Sequence, residues 1–344
     1  MTGAARISGL IATVLLILVA VACNDTCNPL TDPSCNGNGD ATGPRLAGPP
    51  WSEIEIPIPE GGWLTAIAGE GQTLVAGGRF GVIIRSTDGG ATWFRVASPT
   101  DRPITSLVAS GQTFVATTGI GRVMIRSTDA GQTWSQVDPP TESTVLDFWA
   151  SGSSLLAVSD RDVARSTDSG STWHVTFSES SGHSFSSIFR SNTTVLAVGR
   201  RLLRSPAGGQ SGSWVDVSSP TDARLRDVWG ASPLWIAVGG CGLIARSTDD
   251  GRTWRLITPF TSEDLNVVRA VGSNIVVAGG GCGGVASVGG ELHISRDQGE
   301  SWEPVDIGGN VRIRVDDMWA DGSTVVMVGR RLGGTFMLRS TEGF

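Results

Sequence analysis

The stretch Arg85-Ser-Thr-Asp-Gly-Gly-Ala-Thr-Trp93 decides the fold, because variants of it return along the whole chain. The serine of this motif stands at positions 86, 127, 166, 205, 247, 295 and 340, in steps of 41, 39, 39, 42, 48 and 45 residues. The copies at 204–214 and 339–344 are degenerate or cut short, and the other five keep the core of the pattern. A period of about 42 residues is typical of the blades of a β-propeller.

The shared pattern Ser-x-Asp-x-Gly-x-Thr-Trp resembles the Asp box, or BNR repeat, of sialidases, sortilin-type receptors, some endoglucanases and photosystem II assembly factors. The resemblance covers residues 51–344 and implies a structural hairpin corner. In such a corner the aspartate accepts backbone N–H groups, the glycine adopts positive φ and the tryptophan packs into the blade. The implied structural residues are Ser86, Asp88, Gly90, Trp93, Ser127, Asp129, Gly131, Trp134, Ser166, Asp168, Gly170, Trp173, Ser247, Asp249, Gly251, Trp254, Ser295, Asp297, Gly299 and Trp302.

Each repeat also contains four short runs rich in β-branched and aromatic residues, which predict a four-stranded antiparallel blade. The innermost strands are predicted to begin near Leu64, Ile104, Val145, Phe185, Leu225, Leu265 and Val315. The last repeat stops before its fourth strand, whereas the body opens with Trp51-Ser-Glu-Ile-Glu-Ile-Pro57, a fourth strand without a blade. The sequence therefore predicts an all-β, seven-bladed propeller in which strand 51–58 completes the last blade. An eighth blade or an open solenoid is the alternative.

The composition excludes several kinds of chemistry. All 26 basic residues are arginine, and the chain has neither lysine nor tyrosine, which excludes a Schiff-base lysine and a P-loop. It also excludes the Tyr–Glu nucleophile pair that the likeness to sialidases would imply. The net charge of −7 argues against nucleic-acid binding. His174, His183 and His293 have no metal-ligand spacing and flank no nucleophile elbow, so we expect neither a metal nor a cofactor.

The N-terminus has the pattern of an export signal. The apolar run over residues 10–21 is too short for a spanning helix, which needs roughly 20 apolar residues. The small residues before Cys23 resemble the lipobox of bacterial lipoproteins, which implies a signal peptide at 1–22 and acylation of Cys23. An ordinary secretory signal cut after Ala22 is the alternative. Residues 23–50, rich in Asn, Gly and Pro, predict a flexible tether that holds the propeller on the periplasmic face or the cell surface.

The remaining four cysteines suit an oxidising compartment. Cys27 and Cys35 lie eight residues apart in the tether, and Cys241 and Cys282 occupy matching hairpins of neighbouring repeats. The sequence predicts the disulfides Cys27–Cys35 and Cys241–Cys282. Free, buried thiols are the alternative.

The hairpins between the second and third strands carry arginines on the face where propellers usually bind ligands. These rim arginines are Arg79, Arg122, Arg161, Arg200, Arg201, Arg330 and Arg331. Guanidinium groups bind carboxylates or phosphates bidentately. The photosystem assembly propellers that the repeats resemble have an arginine-rich patch that contacts client proteins. The alternative is that the rim arginines are solvated and pair with nearby aspartates.

The third position of the predicted inner strands is aspartate in three blades, at Asp147, Asp227 and Asp317. Beside a central channel, such carboxylates would suit the acid and base of a glycosidase or a ring of cation ligands. Endoglucanases with Asp boxes use two aspartates, although their cleft usually needs two propellers. The alternative is that each aspartate accepts backbone or arginine hydrogen bonds.

These observations favour an exported, membrane-tethered, monomeric propeller that binds protein or glycan and catalyses no reaction. A non-sialidase glycoside hydrolase that uses the channel aspartates is one alternative function. A lipoprotein with a purely structural role in the envelope is the other.

Overall fold

The computed structural model describes residues 46–47, 50–180, 185–281, 287–288, 291–307, 312–331, 334–342 and 344. Seven antiparallel sheets follow one another along the chain, and each inner strand packs against the inner strand of the next sheet. The predicted seven-bladed β-propeller is confirmed. Within the described ranges, no helix has the length and apolar character needed to cross a membrane.

The four strands of each blade lie side by side, with the first strand at the central channel and the fourth strand at the outer edge. The first strands are Leu64–Glu70, Ile104–Ser110, Val145–Ser151, Phe185–Ser191, Leu225–Ala231, Leu265–Val271 and Arg312–Asp321. The second strands are Thr73–Gly78, Thr113–Thr118, Ser154–Ser159, Thr194–Gly199, Leu234–Gly239, Asn274–Gly279 and Thr324–Arg331. The third strands are Ile83–Ser86, Met124–Ser127, Asp162–Ser166, Leu202–Ser205, Ile244–Ser247, Glu291–Ser295 and Gly334–Ser340. The fourth strands are Phe94–Val96, Ser135–Val137, His174–Ser178, Val215–Val217, Arg255–Ile257, Glu303–Asp306 and, for blade seven, Ser52–Glu53.

The hydrophobic core lies between blades rather than inside them. The second strands are buried along almost their whole length, because both faces of each sheet are covered by a neighbouring sheet. Between blades one and two, for example, Val75 and Ile83 pack against Ile104 and Phe114, and all four side chains are buried. Each such side chain contributes roughly 1.5–3 kcal/mol when fully buried. The ring is therefore stabilised at every blade interface.

Each inner strand carries a β-bulge near its start, between the first and third residues in blades one to six and between Val315 and Asp317 in blade seven. A bulge bends the strand and redirects a side chain. The residue that comes directly after the bulge is aspartate in three blades.

The ring closes through the segment that precedes blade one. Ser52 and Glu53 pair antiparallel with Arg339 and Leu338, and the N–H of Ile54 donates to the carbonyl of Met337 at 2.9 Å. Closure of blade seven by the N-terminal strand is thus confirmed. The paired strand is shorter than the predicted 51–58, and Ile54, Ile56 and Ile58 beyond it pack between blades seven and one.

Two short strands add to the sheets of blades six and seven. Leu46–Ala47, within the predicted tether, pairs parallel with Val305–Asp306 as a fifth strand on the outer edge of blade six. Ser287–Val288 pairs with the start of the inner strand of blade seven, which begins at Arg312 rather than near Val315.

Candidate functional site

The two faces of the ring carry different kinds of connection. Because the strands of a blade alternate in direction, the turns between third and fourth strands lie on one face, which we term the box face. The hairpins between second and third strands lie on the opposite face, the hairpin face, together with the loops that lead into the next blade. Arg79–Gly81 is the hairpin of blade one.

The five complete motifs form the same turn on the box face. In the first copy, Ser86 Oγ donates to Asp88 Oδ1 at 2.7 Å and accepts the N–H of Gly90 at 2.9 Å. Asp88 accepts the N–H and hydroxyl of Thr92, and Trp93 Nε1 donates to the carbonyl of Gly90. The same serine-to-glycine and aspartate contacts recur at Asp129, Asp168, Asp249 and Asp297. The side chains of the motif therefore form hydrogen bonds within the turn, which indicates a structural role for them.

The carboxylates of these turns are held in the ionised form. At Asp129, hydrogen bonds from the hydroxyl and N–H of Thr133 lower the pKa to about 2. At Asp88, burial raises the pKa, but the hydrogen bonds from Thr92 and Ser86 outweigh burial and lower the pKa to about 2. These charges therefore stabilise the turns at neutral pH.

The arginine that opens the motif has a role that the sequence analysis did not assign. Its Nε donates to the carbonyl of the residue after the motif aspartate in the next blade, across the interface between blades. The pairs are Arg85 with Ala130 (2.6 Å), Arg126 with Ser169 (2.8 Å), Arg204 with Asp250 (2.6 Å), Arg246 with Gln298 (2.8 Å) and Arg339 with Gly89 (2.8 Å). Each accepting residue has positive φ. The recurrence of arginine before the serine was the signal in the sequence.

The three predicted channel aspartates line a central channel of about 560 Å³. Each accepts a hydrogen bond from a backbone N–H on the inner strand of the following blade. The pairs are Asp147 with Ile188 (3.1 Å), Asp227 with Val268 (2.9 Å) and Asp317 with Ile67 (2.9 Å). The carboxylates therefore join successive blades around the channel.

Arg269 and Ser187 link the same aspartates to one another. Arg269 Nη1 lies 2.6 Å from Asp227 Oδ2, and its Nη2 lies 3.3 Å from Asp317 Oδ1. Ser187 Oγ lies 2.8 Å from Asp147 Oδ2 and 2.9 Å from Asp227 Oδ1. A hydroxyl has one proton, so Ser187 donates to one of these carboxylates at a time. This network uses the carboxylate oxygens within the protein, which favours the structural alternative over acid–base chemistry.

One cation faces three carboxyl groups in this network, and the pKa values reflect that excess of acid. Burial, followed by repulsion from Asp227, raises the pKa of Asp147 to about 6. Burial also raises the pKa of Asp317 to about 6, against the opposing charge of Arg269. Burial disfavours the charge of Arg269, but Asp227, Asp317 and Asp147 outweigh burial and raise the pKa of Arg269.

On the hairpin face, four of the seven rim arginines form ion pairs with acidic side chains. These pairs are Arg122 with Glu142 (2.8 Å), Arg201 with Asp216 (2.5 Å), Arg330 with Asp316 (2.8 Å) and Arg331 with Glu53 (2.6 Å). Arg201 also contacts Glu179. Arg161 and Arg200 are exposed. The rim arginines therefore differ in their surroundings: four form ion pairs within the protein, and Arg161 and Arg200 are exposed to solvent.

The seventh rim arginine, Arg79, lies between two aromatic rings. Its guanidinium carbon is 4.3 Å from the ring centre of Trp63 and 4.5 Å from that of Phe80. The guanidinium of Arg330 lies 5.6 Å from the same Trp63 ring. We term Trp63, Arg79, Phe80 and Arg330 the aromatic–arginine cluster. Sequence reasoning missed both aromatic residues, because neither belongs to the repeated motif.

Several predicted residues lie outside the described part of the chain. Cys23, Cys27, Cys35 and Cys282 are among them, so acylation and both disulfides stay predictions. Cys241 lies in the hairpin of blade five at positive φ, the same place that Phe80 occupies in blade one. Among the described residues, no three His, Cys, Asp or Glu side chains are grouped as metal ligands.

Solved structures with the same fold match this chain along most of its length. A structure described as YCF48 bound to D1 peptide has a TM-score of 0.68 and 22% identity, over 87% of this chain and 99% of that one. YCF48 from Cyanidioschyzon merolae has a TM-score of 0.67 and 16% identity, over 86% and 99%. Virginiamycin B lyase from Staphylococcus aureus has a TM-score of 0.64 and 13% identity, over 85% and 99%.

No family model matches the sequence, and neither does any curated protein. At these identities the similar structures show the fold alone. One of them is a peptide complex and another is a lyase, so function here depends on the site and not on the propeller itself.

Proposed function

We propose that this chain is an exported, lipid-anchored propeller that binds a protein partner on its hairpin face and catalyses no reaction. The main support is the aromatic–arginine cluster, in which Phe80 is 48% exposed although it is a large apolar residue. Aromatic and arginine side chains are the residues that most often dominate protein interfaces. The peptide complex of a YCF48 structure with the same fold adds support for a protein partner over a glycan.

The backbone of Phe80 gives further support. Its φ of 62° is rare for a bulky residue and costs of order 1–3 kcal/mol. The ring is also exposed, so it contributes little to the core. A strained, exposed aromatic residue is typical of a binding surface.

Membrane attachment rests on the sequence around Cys23. Two or three acyl chains, at about 0.8 kcal/mol per buried CH₂, would hold the propeller on a bilayer. We expect a fatty-acid probe to label the wild-type chain and not the variant Cys23→Ser. A wild-type chain without label would contradict the anchor and leave the binding role open.

Site-specific photo-crosslinking in intact cells tests the binding role. A crosslinking amino acid would replace Phe80, Ile120 or Arg161 on the hairpin face, and Gln132 or Arg252 on the box face. All five positions are exposed. We expect discrete protein adducts from the hairpin face alone. Equal adducts from both faces, or none from either, would overturn the proposal. Adducts to glycan would indicate a glycan ligand in place of a protein partner.

The hydrolase alternative rests on the raised pKa values of Asp147 and Asp317, since a general acid needs such a shift. Against it, Asp147 already receives hydrogen bonds from Ser106, Ser187 and Ile188. The variant Asp147→Asn separates the two functions: it would abolish glycoside hydrolysis but leave the hairpin-face adducts in place.

A further inference from the structure

A groove of about 750 Å³ lies on the hairpin face where blade one meets blade two. Its floor includes Val96 and Val123, and its walls include the Phe80 hairpin and the loop that leads into blade two. The two walls are in close contact. A Cβ on Gly81, whose φ is +65°, would lie 2.0 Å from the carbonyl oxygen of Thr100, so the hairpin needs glycine there.

The charged side chains along this groove are Arg95, Arg102 and Asp101, and all three are exposed. The guanidinium of Arg102 lies over the neighbouring hairpin, since a Cβ on Gly121 would come within 2.3 Å of its Nη1. The groove is therefore net positive on a chain whose net charge is −7. Its charge complements a carboxylate-bearing ligand.

Two exposed apolar side chains lie at the groove: Phe80 lines it, and Ile120 belongs to the blade-two hairpin that Arg102 contacts. Phe80 is 48% exposed, and Ile120 in the adjacent hairpin of blade two is 58% exposed. These are the two large exposed hydrophobic side chains among the described hairpins. Together with the valines of the floor, they complement an apolar side chain placed next to the carboxylate.

The groove also runs beside a free strand edge. Phe94–Val96 is the outermost strand of blade one, and among the described residues it pairs on one side only, with Ile83–Arg85. The outer edge of blade six is occupied, because Leu46–Ala47 pairs with the fourth strand of that blade. The chain itself thus shows that an extended segment adds to the rim of this ring. A free edge beside a pocket accepts an extended peptide in the same way.

We propose that this groove binds an extended segment of a partner protein in which aspartate or glutamate stands next to an aromatic or aliphatic residue. The acidic side chain pairs with Arg95 and Arg102, the apolar side chain packs against Phe80, and the backbone aligns with the edge of blade one. This inference rests on the proposed protein-binding function and assigns it a site and a class of partner.

Selection from a phage-displayed library of random peptides, with the mature full-length chain in detergent as the target, tests this proposal. We expect enrichment of peptides that combine acidic and apolar residues. An enriched peptide, labelled with fluorescein, is then titrated by fluorescence polarisation against three variants. Arg95→Glu combined with Arg102→Glu should weaken binding about tenfold or more, because attraction becomes repulsion. The matched control Arg252→Glu, on the box face, should leave affinity within about twofold.

Phe80→Gly is the third variant, and it separates binding from folding. Glycine fits the positive φ at this position without strain, so the melting temperature should not fall. Binding of the selected peptide should nevertheless weaken about tenfold, as expected for an aromatic anchor.

Two results would overturn the proposal that this groove binds a peptide. One is a selection without acidic and apolar enrichment, and the other is a selected peptide whose affinity is unchanged in the Arg95 and Arg102 double variant. Hairpin-face adducts in cells together with either result would retain the protein-binding function and exclude this site. Loss of those adducts would contradict the function itself.

Discussion

Asp317 of blade seven accepts a hydrogen bond from the backbone N–H of Ile67 of blade one, with 2.9 Å between Oδ2 and N. This contact crosses the seam where the last blade meets the first. The same relationship joins blade three to blade four and blade five to blade six. Carboxylates that the sequence offers as acid, base or cation ligands therefore act as ties between blades.

The hydrogen bond between Asp317 and Ile67 predicts that Asp317→Ala strongly lowers stability. The variant leaves the N–H groups of Ile67 and Met318 without their acceptor and removes one partner of Arg269. We expect a loss of about 3 kcal/mol in the free energy of unfolding, measured by urea denaturation. The control Asp321→Ala, exposed at the end of the same strand, should change it by less than about 0.5 kcal/mol. Equal effects of the two variants would refute the tie.

The raised pKa values of Asp147 and Asp317, both about 6, predict that stability falls as pH rises from 5 to 7. Their folded pKa lies above the unfolded value of about 3.9, so the folded state binds the proton more tightly. That stabilisation is complete below the unfolded pKa and is lost as pH passes the folded pKa. The melting temperature should therefore decline over this interval. Asp147→Asn should flatten the decline, whereas the exposed control Asp138→Asn should not.

The box-face aspartates predict the opposite slope at lower pH. The pKa values of Asp88, Asp129, Asp249 and Asp297 are lowered to about 2. Their contribution is present above the unfolded pKa and is lost as pH falls toward 2. The two groups together predict a maximum of the melting temperature near pH 4–5. A maximum above pH 7 would contradict the raised pKa values of Asp147 and Asp317, whereas a melting temperature that does not fall toward pH 2 would contradict the lowered pKa values of the box-face aspartates.

The motif arginines predict unequal effects at equivalent positions. Arg126 Nε donates to Ser169 at 2.8 Å, whereas Arg165 Nε is buried without a hydrogen-bond partner among the described residues, because the next blade has the degenerate motif. We expect Arg126→Ala to lower the free energy of unfolding by about 1.5–3 kcal/mol. Arg165→Ala should be close to neutral, and it also relieves repulsion with Arg190. Urea denaturation of the two variants in parallel measures both free energies of unfolding. A larger loss for Arg165→Ala than for Arg126→Ala would contradict the stabilising role of the hydrogen bond from Arg126 to Ser169.

Closure of the ring predicts that the segment before blade one is indispensable. Trp51 packs on Phe344 with ring centres 5.9 Å apart, and Ile54, Ile56 and Ile58 pack between blades seven and one. Deletion of 51–58 removes these contacts, whose sum is comparable to a domain's total stability of roughly 5–15 kcal/mol. We expect that chain to unfold or to melt far below wild type. Deletion of 24–44, which retains the strand at Leu46–Ala47, should melt within about two degrees of wild type.

The blade count and the box turns followed from the sequence because their contacts are local. Ser86, Asp88, Gly90 and Trp93 satisfy one another within eight residues, so each repeat shows its turn by itself. The closing strand was equally visible, since Trp51 lies one period before Trp93. A repeated local pattern fixes the blade, and a blade with both faces apolar must be covered by its neighbours.

What the aspartates and arginines do was decided by the tertiary structure. Asp317 and Ile67 are 250 residues apart, and they meet only because the blades curve into a closed ring. The pairing of Arg331 with Glu53 depends on the same closure. The sequence placed these side chains on hairpins and inner strands. Which of them are paired within the protein follows from contacts between residues far apart in the sequence, and no local pattern encodes those contacts.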